Sequence, residues 1–282
     1  MDFKPGNSIT IEGLNINYKI IGKGSENLLL LHGFLLSTES WDFILGKFDS
    51  TKFRMICVDI LGFGFSDKPL NSDYSIERQS KLIQSFLTKL HVDTLTIISH
   101  SYGGVIALYL TYLSLIEENN LKIKKEILID VPAFSGIKPK FINVLKNDFL
   151  SFLSLKILPE KVLAKYILKT TFFDYPKAKN SHLDRYTFFL RKKNIDEAIV
   201  QMAKQLLPKK INDLMNSYKL IDFPVLIIWG NNDNLIKIEN GKRLHNEVKT
   251  SKLVIIPNCG HVPHEECPDE TFNEIHKFLE RE

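Results

Sequence analysis

Apolar residues recur along this chain in two alternating rhythms. Ser8 to Ile21 (SITIEGLNINYKII) alternates apolar and polar positions on either side of Gly13, which predicts a hairpin. Asn27 to Leu31 is a short, wholly apolar run that ends at His32-Gly33. Comparable runs follow at Phe53 to Val58, Leu95 to Ser99, Glu126 to Ile129, Val225 to Trp229 and Leu253 to Ile256. Runs without polar alternation suit strands buried on both faces, as in parallel sheets. Between them, Thr38 to Phe48, Ser75 to Leu90, Tyr102 to Leu115, Ile238 to Val248 and Asp269 to Leu279 have helical spacing. The order strand, helix, strand predicts right-handed crossovers and a mostly parallel, doubly wound α/β sheet. Such sheets carry their chemistry on loops at the carboxyl ends of the strands.

One block breaks the alternation. From Phe134 to Asn216 only amphipathic helical patterns occur, broken at Pro139, Pro159, Pro176 and Pro208. The block is rich in aromatics, among them Phe149, Phe152, Tyr166, Phe172, Phe173, Phe188 and Phe189. It reads as a helical cap, residues 134–216, inserted between strands of one core made of residues 1–133 and 217–282.

Composition narrows the class. With 282 residues, 44% of them hydrophobic and 25% charged, the chain has the make-up of a globular protein with a sizeable core. The longest apolar runs are far too short to cross a bilayer core of roughly 30 Å. The N-terminus, Met1-Asp2-Phe3-Lys4-Pro5-Gly6, has no apolar run after its charge, so a cytoplasmic location is expected. Three scattered cysteines, Cys57, Cys259 and Cys267, without a Cys-x-x-Cys pair argue for free thiols rather than a disulfide framework or zinc ribbon. The net charge is only +4, and nothing in it points to a nucleic-acid partner. It is unevenly spread: residues 134–216 carry 16 Lys or Arg against 7 Asp or Glu, the remainder 21 against 26. A solvated outer face accounts for this basic block, and attraction of anionic substrates or a membrane surface is the alternative.

The chemistry concentrates at three strand ends. Leu95 to Ser99, His100-Ser101-Tyr102-Gly103-Gly104 and Val105 to Leu108 read as buried strand, tight turn and helix, with Ser101 at the apex. A strained elbow of this kind exposes the hydroxyl and places the following backbone N–H groups at a helix N-terminus, where an oxyanion can develop. The motif departs from Gly-x-Ser-x-Gly in having Ser99 at the first glycine position. Shifting the frame to make Ser99 the nucleophile would put the bulky Ile97 at a glycine position. A serine needs a base, and the base needs an acid to orient it. Asp233 follows the strand Val225 to Trp229 through Gly230-Asn231-Asn232, and His261 follows Leu253 to Ile256 through Pro257-Asn258-Cys259-Gly260. Asp130, ending the run before it, is the rival acid, and His264 the rival base. His32 and His100 are expected to shape the site without titrating. His261, His264 and Glu265 lack a zincin's order and a further ligand, and the glycine pairs Gly22/Gly24 and Gly62/Gly64 lack the full phosphate-loop spacing. Neither a metal site nor a cofactor site is expected.

The chain resembles the lidded serine branch of the α/β-hydrolase superfamily, which includes carboxylesterases and C–C bond hydrolases. Five ordered stretches carry the resemblance: Leu31-His32-Gly33-Phe34, Asp59 to Asp67, the elbow at Ser101, Trp229 to Asp233, and Gly260 to Pro268. It implies a catalytic triad of Ser101, Asp233 and His261, with an oxyanion hole formed by the N–H groups of Phe34 and Tyr102. Relatives that open epoxides or displace halide use aspartate at the elbow, so Ser101 disfavours both. The expectation is hydrolysis of a small apolar or aryl carboxylic ester through an acyl-enzyme on Ser101. C–C bond hydrolysis is the runner-up, a synthase-type elimination in the same fold comes third, and a ligand-binding receptor or pseudoenzyme is the rival from another class. The partner expected is a small molecule with a carbonyl centre; oligomeric state is left open.

Overall fold

A computed structural model describes residues 3–117, 121–136, 140–147, 150–151 and 153–280. The apolar runs form one eight-stranded sheet: β1 (Asn7–Ile11), β2 (Leu14–Ile21), β3 (Glu26–Leu31), β4 (Phe53–Val58), β5 (Thr94–His100), β6 (Lys122–Ile129), β7 (Val225–Gly230) and β8 (Ser251–Ile256). The order is β1-β2-β4-β3-β5-β6-β7-β8. β1 and β2 form the expected hairpin around Gly13, β2 meets β4 antiparallel, and every later pairing is parallel.

Alternate side chains of the central strands leave on opposite faces, and both faces are covered. Leu29, Leu31, Ile56, Val58 and Ile97 enter one apolar cluster, whereas Leu28, Leu30, Met55, Cys57 and Ile98 enter the other. The first cluster is closed by α2 (Ile76–Lys89), α3 (Tyr102–Ile116) and α9 (Glu239–Glu247), through residues such as Phe86, Ile106 and Leu244. The second is closed by α1 (Asp42–Leu45) and α11 (Pro268–Leu279), through Ile44, Ile275 and Phe278. A further short helix, α10 (Pro263–Glu266), precedes α11. Cys57, Cys259 and Cys267 are buried free thiols.

Between β6 and β7 lie α4 (Lys140–Lys146), a wide helical turn at Leu153–Ile157, α5 (Glu160–Thr171), α6 (Asn180–Leu190), α7 (Ile195–Lys204) and α8 (Ile211–Ser217). No strand occurs among the described residues of this insertion. Pro159 caps α5, Pro176 sits in a short turn before α6, and Pro208 separates α7 from α8, so the breaks fall as expected. Pro139, Phe149 and Phe152 lie outside the described residues.

Two elements differ from expectation. The helix anticipated over Thr38 to Phe48 is a tight turn at Thr38–Trp41 followed by α1, which stops at Gly46. Ser37 caps the turn, and buried Asp59 takes the N–H of Thr38 at 2.7 Å, so a local cap and a tertiary contact at its start override the helical spacing. β6 begins four residues earlier than its apolar run, because Lys122, Ile123 and Lys125 still pair with β5, with Lys124 bulged out of the register. No helix among the described residues is long and apolar enough to cross a membrane.

Candidate active site

The strand ends bring the expected residues together. β5 ends at His100, and Ser101 turns the chain into α3 with φ 49° and ψ −116°, a conformation a non-glycine residue holds only when its surroundings enforce it. Ser101 N–H donates to the Ile129 carbonyl at 2.9 Å, and the Ser101 carbonyl accepts from Gly104 N–H at 2.9 Å. The turn is that tight because Gly103 lies against the end of β3: a Cβ there would stand 2.4 Å from the Leu31 and His32 carbonyl oxygens. Ser99 fits at the first glycine position of the motif. It is fully buried, and its hydroxyl donates across the sheet to the Ile127 carbonyl at 3.3 Å.

His261 reaches Ser101 from the loop after β8. Its Nε2 lies 2.9 Å from Ser101 Oγ, and its Nδ1 lies 2.6 Å from Asp233 Oδ2. Asp233 Oδ1 accepts from the N–H groups of Leu235 and Ile236 at 2.7 and 2.9 Å. The carboxylate is therefore fixed on one side by backbone donors and on the other by the imidazole. With Nδ1 donating to Asp233, Nε2 is the acceptor that can take the Ser101 proton. Tyr102 is the first residue of α3, so its N–H has no intrahelical acceptor. The ring of Phe34, on the loop after β3, lies 6.0 Å from that of Tyr102.

The other candidates fall into place around this relay. Asp130 follows β6 directly at φ 49°, fully buried, with Oδ1 taking the Gly230 N–H at 3.1 Å and Oδ2 without a hydrogen-bond donor. Burial first, and the neighbouring Asp233 charge second, push its carboxyl well above the usual range. Asp130, Asp233 and His261 present ligand-type atoms within 4.8 Å of one another. The His261–Asp233 pair, however, is at hydrogen-bond distance, whereas two ligands of one ion stand about 2.0–2.2 Å from it on different sides. His264 lies under the loop, its ring 4.5 Å from Trp41 and 4.6 Å from His100, and burial lowers its pKa well below that of free imidazole. His100 donates through Nε2 to the His261 carbonyl at 2.7 Å, and His32 bridges the Gly33 carbonyl and the Ile60 N–H. Burial lowers both pKa values, so each acts as a neutral strut.

Sequence reasoning did not find what grips the histidine loop. His261 N–H donates to the Thr171 carbonyl, the last residue of α5, at 2.7 Å. Glu266 accepts from Gly260 N–H at 2.6 Å and from the N–H groups of Phe173 and Asp174 at 3.2 and 2.7 Å. A Cβ on Gly260 would meet the Thr171 carbonyl at 2.3 Å. One residue earlier, Glu265 pairs with buried Arg185 of α6. The inserted helices are thereby bonded to the backbone that carries the imidazole. Glu265 and Glu266 follow His261 in sequence, but nothing local announces partners some 80 to 90 positions away.

Above Ser101 lies a cavity of about 350 Å³. Leu36, Ile142, Leu145, Leu155, Leu163 and Ile167 are typical of its lining, which contains no Lys, Arg, Asp or Glu among the described residues. Of the described aromatics noted in the inserted block, only Tyr166 reaches it; Phe188 and Phe189 pack instead against Phe65 and Phe3.

An elbow serine, a strand-end acid and a loop histidine on a sheet of this order define a class. The family profile described as alpha/beta hydrolase fold matches residues 26–268, and the chain belongs to that family of hydrolases. It is 25% identical over 277 residues to an uncharacterized hydrolase, YugF, of Bacillus subtilis (strain 168), covering 98% of each chain. It is 24% identical over 281 residues to 2-hydroxy-6-oxononadienedioate/2-hydroxy-6-oxononatrienedioate hydrolase 1 of Pseudomonas putida, covering 93% of this chain and 90% of that one. The solved enol-lactonase of Burkholderia xenovorans LB400 shares the fold with a TM-score of 0.82 at 18% identity, over 98% of this chain and 100% of that one.

Proposed function

We propose that this protein hydrolyses small, uncharged apolar or aryl carboxylic esters through an acyl-enzyme on Ser101. Ser101 Oγ attacks the ester carbonyl while His261 Nε2 takes its proton, and the Phe34 and Tyr102 N–H groups receive the oxyanion. Collapse of the tetrahedral adduct passes that proton to the leaving alcohol. Water, activated by the same imidazole, then releases the acid and restores the serine. Asp233 holds the imidazole with Nδ1 protonated and offsets its charge when Nε2 is also protonated. The inserted helices, residues 134–216, serve as the cap that closes the cavity from water.

The observation that carries this reading is the charge-free, mostly apolar cavity above a Ser101–His261–Asp233 relay. The C–C bond hydrolase of Pseudomonas putida is named for a dioate, a substrate with two carboxylates. Burying a carboxylate in a cavity without a cation is strongly unfavourable. The described lining therefore favours an uncharged acyl chain over such a substrate. The fully engaged relay likewise favours turnover over a receptor role.

A panel of p-nitrophenyl esters tests this. The expected kcat/KM rises from acetate to a medium-length acyl chain, falls sharply when that chain ends in a carboxylate, and disappears in Ser101→Ala. A preference for the carboxylated acyl chain, or ester turnover that survives Ser101→Ala, would overturn the proposal.

A further inference from the structure

The rim of the cavity carries apolar side chains into solvent. Val144 of α4, Leu158 before α5, and Val162 and Tyr166 of α5 line the cavity and are exposed, Val162 by 52% and Tyr166 by 56%; Ile157 extends the patch. Val162 and Tyr166 are four residues apart, so they form one row along the outer face of α5. Lys161, Lys165 and Lys169 repeat at the same interval and form the adjacent row, all three exposed. Lys169 leans over the Tyr175 ring, while among the described residues Lys161 and Lys165 have no carboxylate within ion-pair distance. From 155 to 170 the chain carries four lysines and one acid, Glu160, which pairs with Arg191.

Contiguous exposed apolar groups around a cavity mouth mark a contact surface, and a cationic row beside them selects an anionic partner. We propose that this rim docks on a bilayer containing anionic phospholipid, with Val162, Tyr166, Leu158 and Ile157 entering the acyl boundary and Lys161 and Lys165 meeting the phosphates. The mouth of the cavity then opens into lipid, and an apolar ester can pass to Ser101 without crossing bulk water. That consequence rests on the ester reading above; the docking itself does not. A second copy of the chain is the poorer occupant, because a two-fold contact through the same face would set lysine row against lysine row.

The test uses Ser101→Ala protein, so that binding is read without chemistry, in co-sedimentation with vesicles of phosphatidylcholine alone or with one part in three phosphatidylglycerol. At least about tenfold tighter binding to the anionic vesicles, weakening with added salt, is expected. The Lys161→Glu/Lys165→Glu pair in that background should lose at least about tenfold in anionic-vesicle affinity. In otherwise wild-type protein the pair should keep its melting temperature and its turnover of a soluble short-chain ester. Equal or absent binding to the two vesicle types, or binding unchanged by charge reversal, would overturn the proposal. So would a dimer in sedimentation velocity that charge reversal alters while no vesicle binds. Loss of ester turnover in wild-type protein would instead count against the catalytic reading, leaving the docking result to stand separately.

Discussion

Asp130 and Asp233 follow neighbouring strands of one sheet, both are buried, and their carboxyl groups approach each other, yet they are in opposite situations. Each oxygen of Asp233 has a donor: Leu235 and Ile236 N–H groups on one, the His261 imidazole on the other. Asp130 has one N–H for one oxygen and none for the other, and burial beside Asp233 raises its pKa, which favours its protonated form. A strand end thus supplies a place for an acid, and the donors in the following loop decide which acid can serve a histidine. The loop after β7 supplies those donors because the chain turns back at Asn234-Leu235-Ile236 beneath the carboxylate.

The largest expected effect comes from Asp233→Asn. The amide cannot accept the Nδ1 proton while keeping its other contacts, and kcat should fall by about 10⁴-fold, as expected when a triad acid loses its charge. Equal residual activity in Asp233→Asn and in Asp233→Asn/Asp130→Asn would show that Asp130 does not substitute. A single variant within tenfold of wild type whose double variant then collapses would make Asp130 the acid and reverse the comparison. Next is Glu266→Ala, which removes the acceptor for three N–H groups joining the histidine loop to the Phe173–Asp174 corner. Loosening the imidazole should lower kcat on the order of 10²-fold, with a reduced melting temperature. Asp130→Asn replaces an acid whose burial favours the uncharged form with a neutral amide of the same shape, and should change kcat by less than about threefold.

How much of this was legible in the sequence follows the same division. Strand ends could be read because wholly apolar runs terminate abruptly at His32-Gly33, at Ser99-His100-Ser101, at Gly230 and at Pro257. The residues just beyond them were therefore found. What lies beside those residues in space was not: Asp130 and Asp233 are a hundred positions apart, and Glu266 holds backbone donated by Phe173 and Asp174. The inserted block was legible as helical, since its described prolines, Pro159, Pro176 and Pro208, fall between helices. Its aromatics meet the cavity only in part, through Tyr166 and Tyr186. Phe188 and Phe189 pack against Phe65 and Phe3, while Tyr186 of the same helix and the leucines and isoleucines of α4, α5 and α7 line the cavity. Helical spacing alone does not say which of two apolar faces meets the site.

A subtler effect concerns Glu126, buried on β6 four residues before Asp130, with Thr111 Oγ1 as its hydrogen-bond donor. Burial raises its carboxyl pKa to about 8. The folded state therefore holds a proton that the unfolded chain has released, so this contribution to stability is complete below the unfolded pKa and is lost as pH rises through about 8. Glu126→Gln removes that dependence. The variant should gain stability over wild type between pH 5 and pH 9, on the order of 4 kcal/mol, with kcat unchanged. Denaturant titrations at the two pH values would reveal it, and parallel curves for the two proteins would refute it.

The central claim is that the His261 imidazole, held by Asp233, makes the Ser101 hydroxyl reactive. Intact mass and peptide mapping after treatment with a fluorophosphonate measure this directly. The expected result is one adduct per chain, on Ser101, formed by wild type and slowed by orders of magnitude in His261→Ala and Asp233→Asn. An adduct on another residue, or modification of Ser101 at the wild-type rate without the imidazole, would contradict it.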